Sequence, residues 1–212
     1  MGGLERLEAL DNVVLTGFGQ RVYQQGGGFL TGEEKAPPKW QSVTDAQRTF
    51  DLKRERALNQ ERWAQQFPFA GLFGLNFDRR AAVQTGGQLL DHPLPALLEA
   101  LDAETRLGAV SIEDGTIVVQ FTPEGATSPA WLGIDPRTHL PKFARWIERS
   151  VNLGDLTTTA WFTGYTPVGG VQLPMGLMHE LDWREQVSLM FQVDSYRIDA
   201  GEGQLPVFPA PP

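Results

Sequence analysis

The stretch that most constrains the fold runs from Trp131 to Ile198. There WLGIDPRTHLPKFARWIE, LTTTAWFTGYTPVGGVQLPMGLMHELDW and EQVSLMFQVDSYRI follow one another as short runs of alternating apolar and polar residues cut by turn residues. In a strand, successive side chains point to opposite faces, so each run buries one face and shows the other. The stretch predicts an antiparallel β-meander, a sheet with one face that something must cover.

The same pattern begins upstream. AVSIEDGTIVVQF places Val110 and Ile112 on one side, turns at Asp114-Gly115, and returns with Ile117, Val119 and Phe121, the signature of a tight hairpin with type I′ turn chemistry. Asp135-Pro136 starts a further turn.

Material to cover the sheet comes from two segments. GLERLEALDN carries Leu4, Leu7 and Leu10 on one side and Glu5, Glu8 and Asp11 on the other, which predicts an amphipathic helix of about two to three turns. QLLDHPLPALLEALDAETRL holds the strongest helix signal, with Pro95 suited to a first turn and Leu97, Leu98 and Leu101 as an apolar stripe. His92, just before Pro93, reads as a structural residue at the helix start.

Between them VVLTGFGQRVYQQ reads as a strand with Val14, Thr16, Phe18, Gln20 and Val22 on one face. Gly17 and Gly19 imitate a dinucleotide fingerprint, but Val22 stands where a third glycine belongs and no helix pattern follows, so they read as strand irregularities or close backbone approaches. The charged segment from Asp45 to Arg62 reads as a strand pair rather than a helix, because Phe50 and Leu52, then Arg54 and Arg56, continue one face. Arg54 and Arg56 read as a solvated charged face, with carboxylate binding as the alternative. FPFAGLFGLNFDRR is the most aromatic segment, too broken by glycine and proline for a helix. Phe67, Phe69, Phe73 and Phe77 line a pocket mouth or plug the core, and both readings stand.

The resulting fold class is α+β, mainly antiparallel β: a curled sheet or incomplete barrel packed against a few helices. Residues 1–203 are read as a single domain and the proline-rich residues 204–212 as a tail or linker. Charge and composition then exclude partners. With 26 acidic against 18 basic residues the net charge is −8, which repels phosphate backbones, so nucleic acid is not expected. Cysteine is absent, leaving neither a disulfide framework nor a thiolate ligand or nucleophile. No apolar run has the length of a membrane span, and the first residues lack the basic and apolar regions of a signal peptide. A periplasmic or secreted protein whose signal was removed before this numbering is expected, with a cytoplasmic one as the alternative.

Catalytic motifs are scarce. No GxSxG, SxxK or P-loop pattern occurs. The three histidines, His92, His139 and His179, stand far apart, and His179-Glu180-Leu181-Asp182-Trp183 begins like HExxH but has Trp183 at the second histidine position. No metal site is expected in this chain. His179 shares a strand face with Leu177 and Leu181, which points it to the concave apolar side and makes it the one candidate acid or base; a satisfied core histidine is the competing reading. Arg145, between Phe143 and Ile147, is a candidate anchor for an acidic head group, with a snorkelling rim arginine as its alternative. Trp161 belongs to a tryptophan-rich meander in which most rings serve packing.

Asp135-Pro136 with Leu140-Pro141, Tyr165, Val168-Gly169-Gly170-Val171 and Leu173-Pro174 give residues 131–198 a pattern that resembles the N-terminal region preceding the catalytic domain in a group of bacterial metallo-β-lactamase-fold hydrolases. More distantly it resembles the LolA/LolB lipoprotein-carrier fold, an incomplete barrel curled around helices. The first resemblance implies a non-catalytic accessory domain with a concave apolar pocket, serving a hydrolase on a separate domain or chain, with zinc only in that partner. The second implies a periplasmic carrier of a lipid or other hydrophobic ligand. A small-molecule enzyme with its site in the barrel is the third reading. Candidate ligand contacts are Phe67, Phe69, Phe73, Phe77, Arg145, Trp161 and His179, and the expected partners are a hydrophobic small molecule or lipid, a catalytic partner domain, or a second copy of the chain.

Overall fold

The computed structural model describes residues 1–22, 33, 36–63, 80–150, 154–201 and 204–208. Among them, eleven strands form one sheet, β1 (Asn12–Val22), β2 (Trp40–Asp51), β3 (Arg56–Trp63), β4 (Arg80–Thr85), β5 (Arg106–Glu113), β6 (Thr116–Thr122), β7 (Ala130–Ile134), β8 (Pro141–Ser150), β9 (Gly154–Val168), β10 (Val171–Leu181) and β11 (Gln186–Ile198). The spatial order is β4-β3-β2-β1-β11-β10-β9-β8-β7-β6-β5, and every neighbouring pair is antiparallel. Two meanders therefore meet where the first strand pairs with the last. The sheet's edges, β4 and β5, are consecutive in the chain, so the segment joining them must travel from one edge to the other.

That segment carries a 3-10 stretch, Gly86–Asp91, and helix α2 (Pro93–Leu101). It packs across the inner face, α2 against β7, β8 and β10 and the 3-10 stretch against β3, β4, β8 and β9. The sheet curls around it. Gln84 of β4 and Trp146 of β8 line one cavity, although in a flat sheet seven strand spacings would hold them about 33 Å apart. The short helix α1 (Leu4–Glu8) packs against α2, and Leu7 and Leu10 join Leu15, Phe50, Leu94, Phe121, Leu132 and Leu173 in one core.

The strand pair read from Asp45 to Arg62 is present as β2 and β3, joined by a tight turn at Leu52–Arg54. Both arginines singled out there bind a carboxylate of the chain itself: Arg54 and Arg56 each donate to Asp51 Oδ2 at 3.1 Å. The β5–β6 hairpin turns at Asp114 and Gly115, both with positive φ (46° and 74°) as a type I′ turn requires. At the β7–β8 turn the Asp135 carboxylate accepts from the backbone N–H of Arg137 (2.8 Å) and Thr138 (3.2 Å), which holds its pKa below the usual carboxylate range.

Three expectations are corrected. The N-terminal helix spans five residues rather than two to three turns. In α2 the buried residues are Pro93, Leu94, Pro95 and Ala96, whereas Leu97 and Leu98 are half-buried and Leu101 is exposed. The helix enters the core by its N-terminal end, so burial follows position along the axis rather than a stripe. Finally, β1 does not keep one face. Its pairing slips at Gly17 against β11 and between Gly17 and Gly19 against β2, leaving Val13 and Leu15 in the core and Phe18 51% exposed. A Cβ on Gly17 would lie 2.2 Å from the Gln192 carbonyl oxygen, and one on Gly19 2.2 Å from that of Met190. These glycines are therefore the close backbone approaches that the missing fingerprint left open.

Candidate functional site

Helix α2 and its preceding 3-10 stretch fill only part of the concave face. Beyond them lies a cavity of about 650 Å³, within the range of small-molecule sites. Its apolar wall comes from strand alternation: Leu177 and Leu181 from β10, Leu189 and Phe191 from β11, Leu15 from β1 and Leu156 from β9. Its polar wall comes from the first meander, where Arg21, Arg48, Asn59 and Gln84 meet Asp91.

The polar wall is a connected network. Arg48 and Asp91 form an ion pair with side chains 11% and 7% exposed, and the Arg48 guanidinium also donates to Gln84 Oε1 at 2.6 Å and lies over the Phe50 ring. Asn59 Nδ2 donates to the same Gln84 oxygen at 2.9 Å, and Arg21 pairs with Glu61 at 2.7 Å. Charges in such a place persist only when paired and hydrogen-bonded. A smaller hollow of about 230 Å³ lies between α1, α2 and the β2–β3 turn. There burial raises the Glu99 carboxyl, while Thr105 donates to it at 3.2 Å.

His179 stands where the two walls meet. In β10 it pairs with Leu189 of β11 and Ala160 of β9, and a bulge follows at once, with Ser188 as the extra residue donating its hydroxyl to the His179 carbonyl at 3.3 Å. The imidazole meets the Trp146 ring edge-on, with centroids 6.3 Å apart. One ring nitrogen faces the Asp91 backbone carbonyl, while Nε2 is buried and has no partner among the described residues. Burial, with added repulsion from Arg48 and Arg21, lowers the pKa to about 4 against the opposing pull of Asp91. The ring is neutral at physiological pH. With a proton on the nitrogen facing Asp91, Nε2 is a buried acceptor without a partner among the described residues.

His179, Arg48 and Asp91 are thus brought together from three distant parts of the sequence. Arg145 and Trp161 are not with them. Trp161 pairs with Met178 and Arg145 with Thr159, so both share the outer face of the sheet, opposite His179. There Arg145 lies over the Phe143 ring and pairs with Glu113 at 3.4 Å, and Trp161 Nε1 donates to Glu180 at 3.0 Å. Phe67, Phe69, Phe73 and Phe77 lie outside the described residues. Sequence reasoning missed Arg48, Asn59, Gln84 and Asp91. Their signal was present only as polar residues on the alternate positions of strands whose neighbours are core, because the contacts join residues 25 to 43 apart.

Among the described residues no group of three or more histidine, aspartate or glutamate side chains is disposed to hold a metal ion, and no helix is long and apolar enough to cross a membrane. Neither a family model nor a curated protein matches this chain. Among solved structures, the chain is similar to the crystal structure of a LolA superfamily protein from Nitrosomonas europaea, with 10% identity, 92% of this chain and 90% of that chain covered, and a TM-score of 0.49. The curled antiparallel sheet stands on this chain's own strand order, and the likeness adds no function to it.

Proposed function

We propose that the protein is a binding protein that shelters the apolar part of an amphiphilic small molecule or lipid inside the curled sheet. The observation that carries this reading is the two-sided cavity, with a leucine and phenylalanine wall from β10 and β11, in which His179 stands between Leu177 and Leu181, facing a hydrogen-bonded polar wall from β2, β3 and β4. A site with one apolar and one polar wall fits a ligand that is itself two-sided. An accessory role beside a metallo-β-lactamase-type hydrolase, and a periplasmic location, rest on the resemblance of residues 131–198 alone. Beside His179, no group of three or more histidine, aspartate or glutamate side chains is disposed to hold a metal ion among the described residues.

The test is native mass spectrometry after incubation with a mixture of long-chain amphiphiles bearing different heads. A one-to-one adduct that Leu189→Glu abolishes is expected. Absence of any adduct on the unsubstituted protein contradicts the reading.

A further inference from the structure

The edge strand β5 turns its apolar residues to solvent. Leu107, Val110 and Ile112 are 62%, 67% and 77% exposed, and among the described residues no strand pairs with the free side of β5. Their ladder partners on β6 are Phe121, Val119 and Ile117. Phe121 lies in the core, and Val119 and Ile117 pair onward with Leu132, a core residue, and Ile134, which packs against the core. Residues opposite one another in a ladder share a face, so all three β5 side chains stand on the inner face of the sheet. Helix α2 covers that face over β7, β8 and β10, and β5 lies beyond it. Among the described residues, none from β5 lines either cavity.

Spacing alone would not make this stripe. Leu107 and Val110, three apart, face opposite ways in a regular strand. A bulge corrects the parity: the β5–β6 register shifts between Leu107 and Val110, so that Gly108 and Ala109 together stand opposite Gln120. The Gln120 side chain lies against Gly108, where a Cβ would come within 3.0 Å of its Oε1. The residues that flank the stripe, Arg106 and Glu113, pair with Thr122 and Thr116 and fall on the outer face, where Glu113 meets Arg145 at 3.4 Å.

An exposed apolar edge without proline or lysine is a template for another strand. The residues of this one select a copy of themselves. Turned about a two-fold axis that passes through Val110 perpendicular to the sheet, β5 sets Val110 opposite Val110 of the second copy and Leu107 opposite its Ile112. The Gly108-Ala109 bulge then falls opposite Ser111, and Arg106 opposite Glu113. Apolar residues meet apolar residues on the inner face, and opposite charges meet at both ends on the outer face. The other free edge, β4, offers Arg80 but no carboxylate to receive Arg106, and joining β5 to β4 would run head to tail without closing.

We propose that β5 is a dimerisation edge, at which two copies of the chain join antiparallel in that register and continue one sheet. Sedimentation velocity of the intact chain tests it. One strand pair is a small interface, so a monomer–dimer equilibrium with a dissociation constant on the order of ten to a hundred micromolar is expected. Val110→Lys, at an exposed position, places two like charges at the axis and is expected to raise that constant about tenfold or more. Arg106→Glu and Glu113→Arg each set like charges opposite one another and are expected to weaken self-association by about three- to tenfold. An equimolar mixture of those two variants restores opposite charges at both ends and is expected to recover it. A chain that stays monomeric up to about 500 μM, assemblies that grow beyond dimers, a dimer indifferent to Val110→Lys, or a mixture no tighter than its components would overturn the proposal.

Discussion

His92 Nε2 lies 3.3 Å from the hydroxyl of Tyr196, and because His92 Nδ1 accepts the Leu94 backbone N–H, Nε2 carries the ring proton and donates to that hydroxyl. Tyr196 in turn donates to the Pro174 carbonyl at 2.5 Å. The N-terminus of α2 is thereby tied through two side chains to β11 and β10. Tyr196→Phe leaves a fully buried histidine donor and a backbone carbonyl without partners, so a loss of about 1–3 kcal/mol is expected in urea unfolding. A loss no greater than that of an exposed Tyr→Phe change would show that the tie is incidental.

Acid should destabilise the fold through both buried histidines. Burial lowers His92 well below its ordinary value and His179 to about 4. The unfolded chain therefore binds protons that the folded chain refuses. Stability is full above the unfolded value of about 6.5 and is lost progressively as pH falls from there toward about 4. Thermal midpoints should drop between neutral pH and about pH 5, and His179→Gln should flatten part of that drop. An unchanged slope in the variant would mean that His179 titrates normally.

The Arg48–Asp91 pair should behave as a buried pair. Asp91→Ala strands the guanidinium and is expected to cost about 3–5 kcal/mol, with Arg48→Met/Asp91→Leu recovering much of it. By contrast Asp11, 69% exposed in its pair with Lys53 at 3.8 Å, should tolerate Ala within about 0.5 kcal/mol. Denaturant midpoints of the four proteins decide it, and equal costs for Asp91→Ala and Asp11→Ala would contradict the placement.

Gly17→Ala or Gly19→Ala forces a Cβ to 2.2 Å from a neighbouring carbonyl oxygen and should prise β1 from β11, the one junction between the two meanders. Gly87→Ala meets nothing within 4 Å and should be neutral or stabilising by up to about 1 kcal/mol. Comparable effects at Gly17 and Gly87, read by thermal melting, would contradict the register.

The β-meander, the hairpin turns and the β2–β3 pair were legible because period-two alternation and turn chemistry are local properties. The Asp114-Gly115 turn is the clearest case, its two positive φ angles written in the residue types. His179's orientation was legible for the same reason, since it follows from Leu177 and Leu181. The polar wall was not. Arg48, Asn59 and Gln84 meet only because β2, β3 and β4 stack side by side and the β4-to-β5 connection brings Asp91 beneath them. Arg145 and Trp161 lie on the outer face because the register of β8, β9 and β10 places them opposite His179, and no composition or spacing rule reports that pairing.

In the proposed binding protein the inner face of β10 and β11 holds the apolar part of the ligand. Photolabelling with a monoacylglycerol carrying a diazirine in its acyl chain, followed by peptide mapping, tests it most directly. Adducts are expected on Leu177, Leu189 and Phe191, displaced by unlabelled monododecanoyl glycerol; adducts confined to the outer-face residues Phe143 and Trp161, or no displaceable adduct at all, would overturn the binding-protein reading.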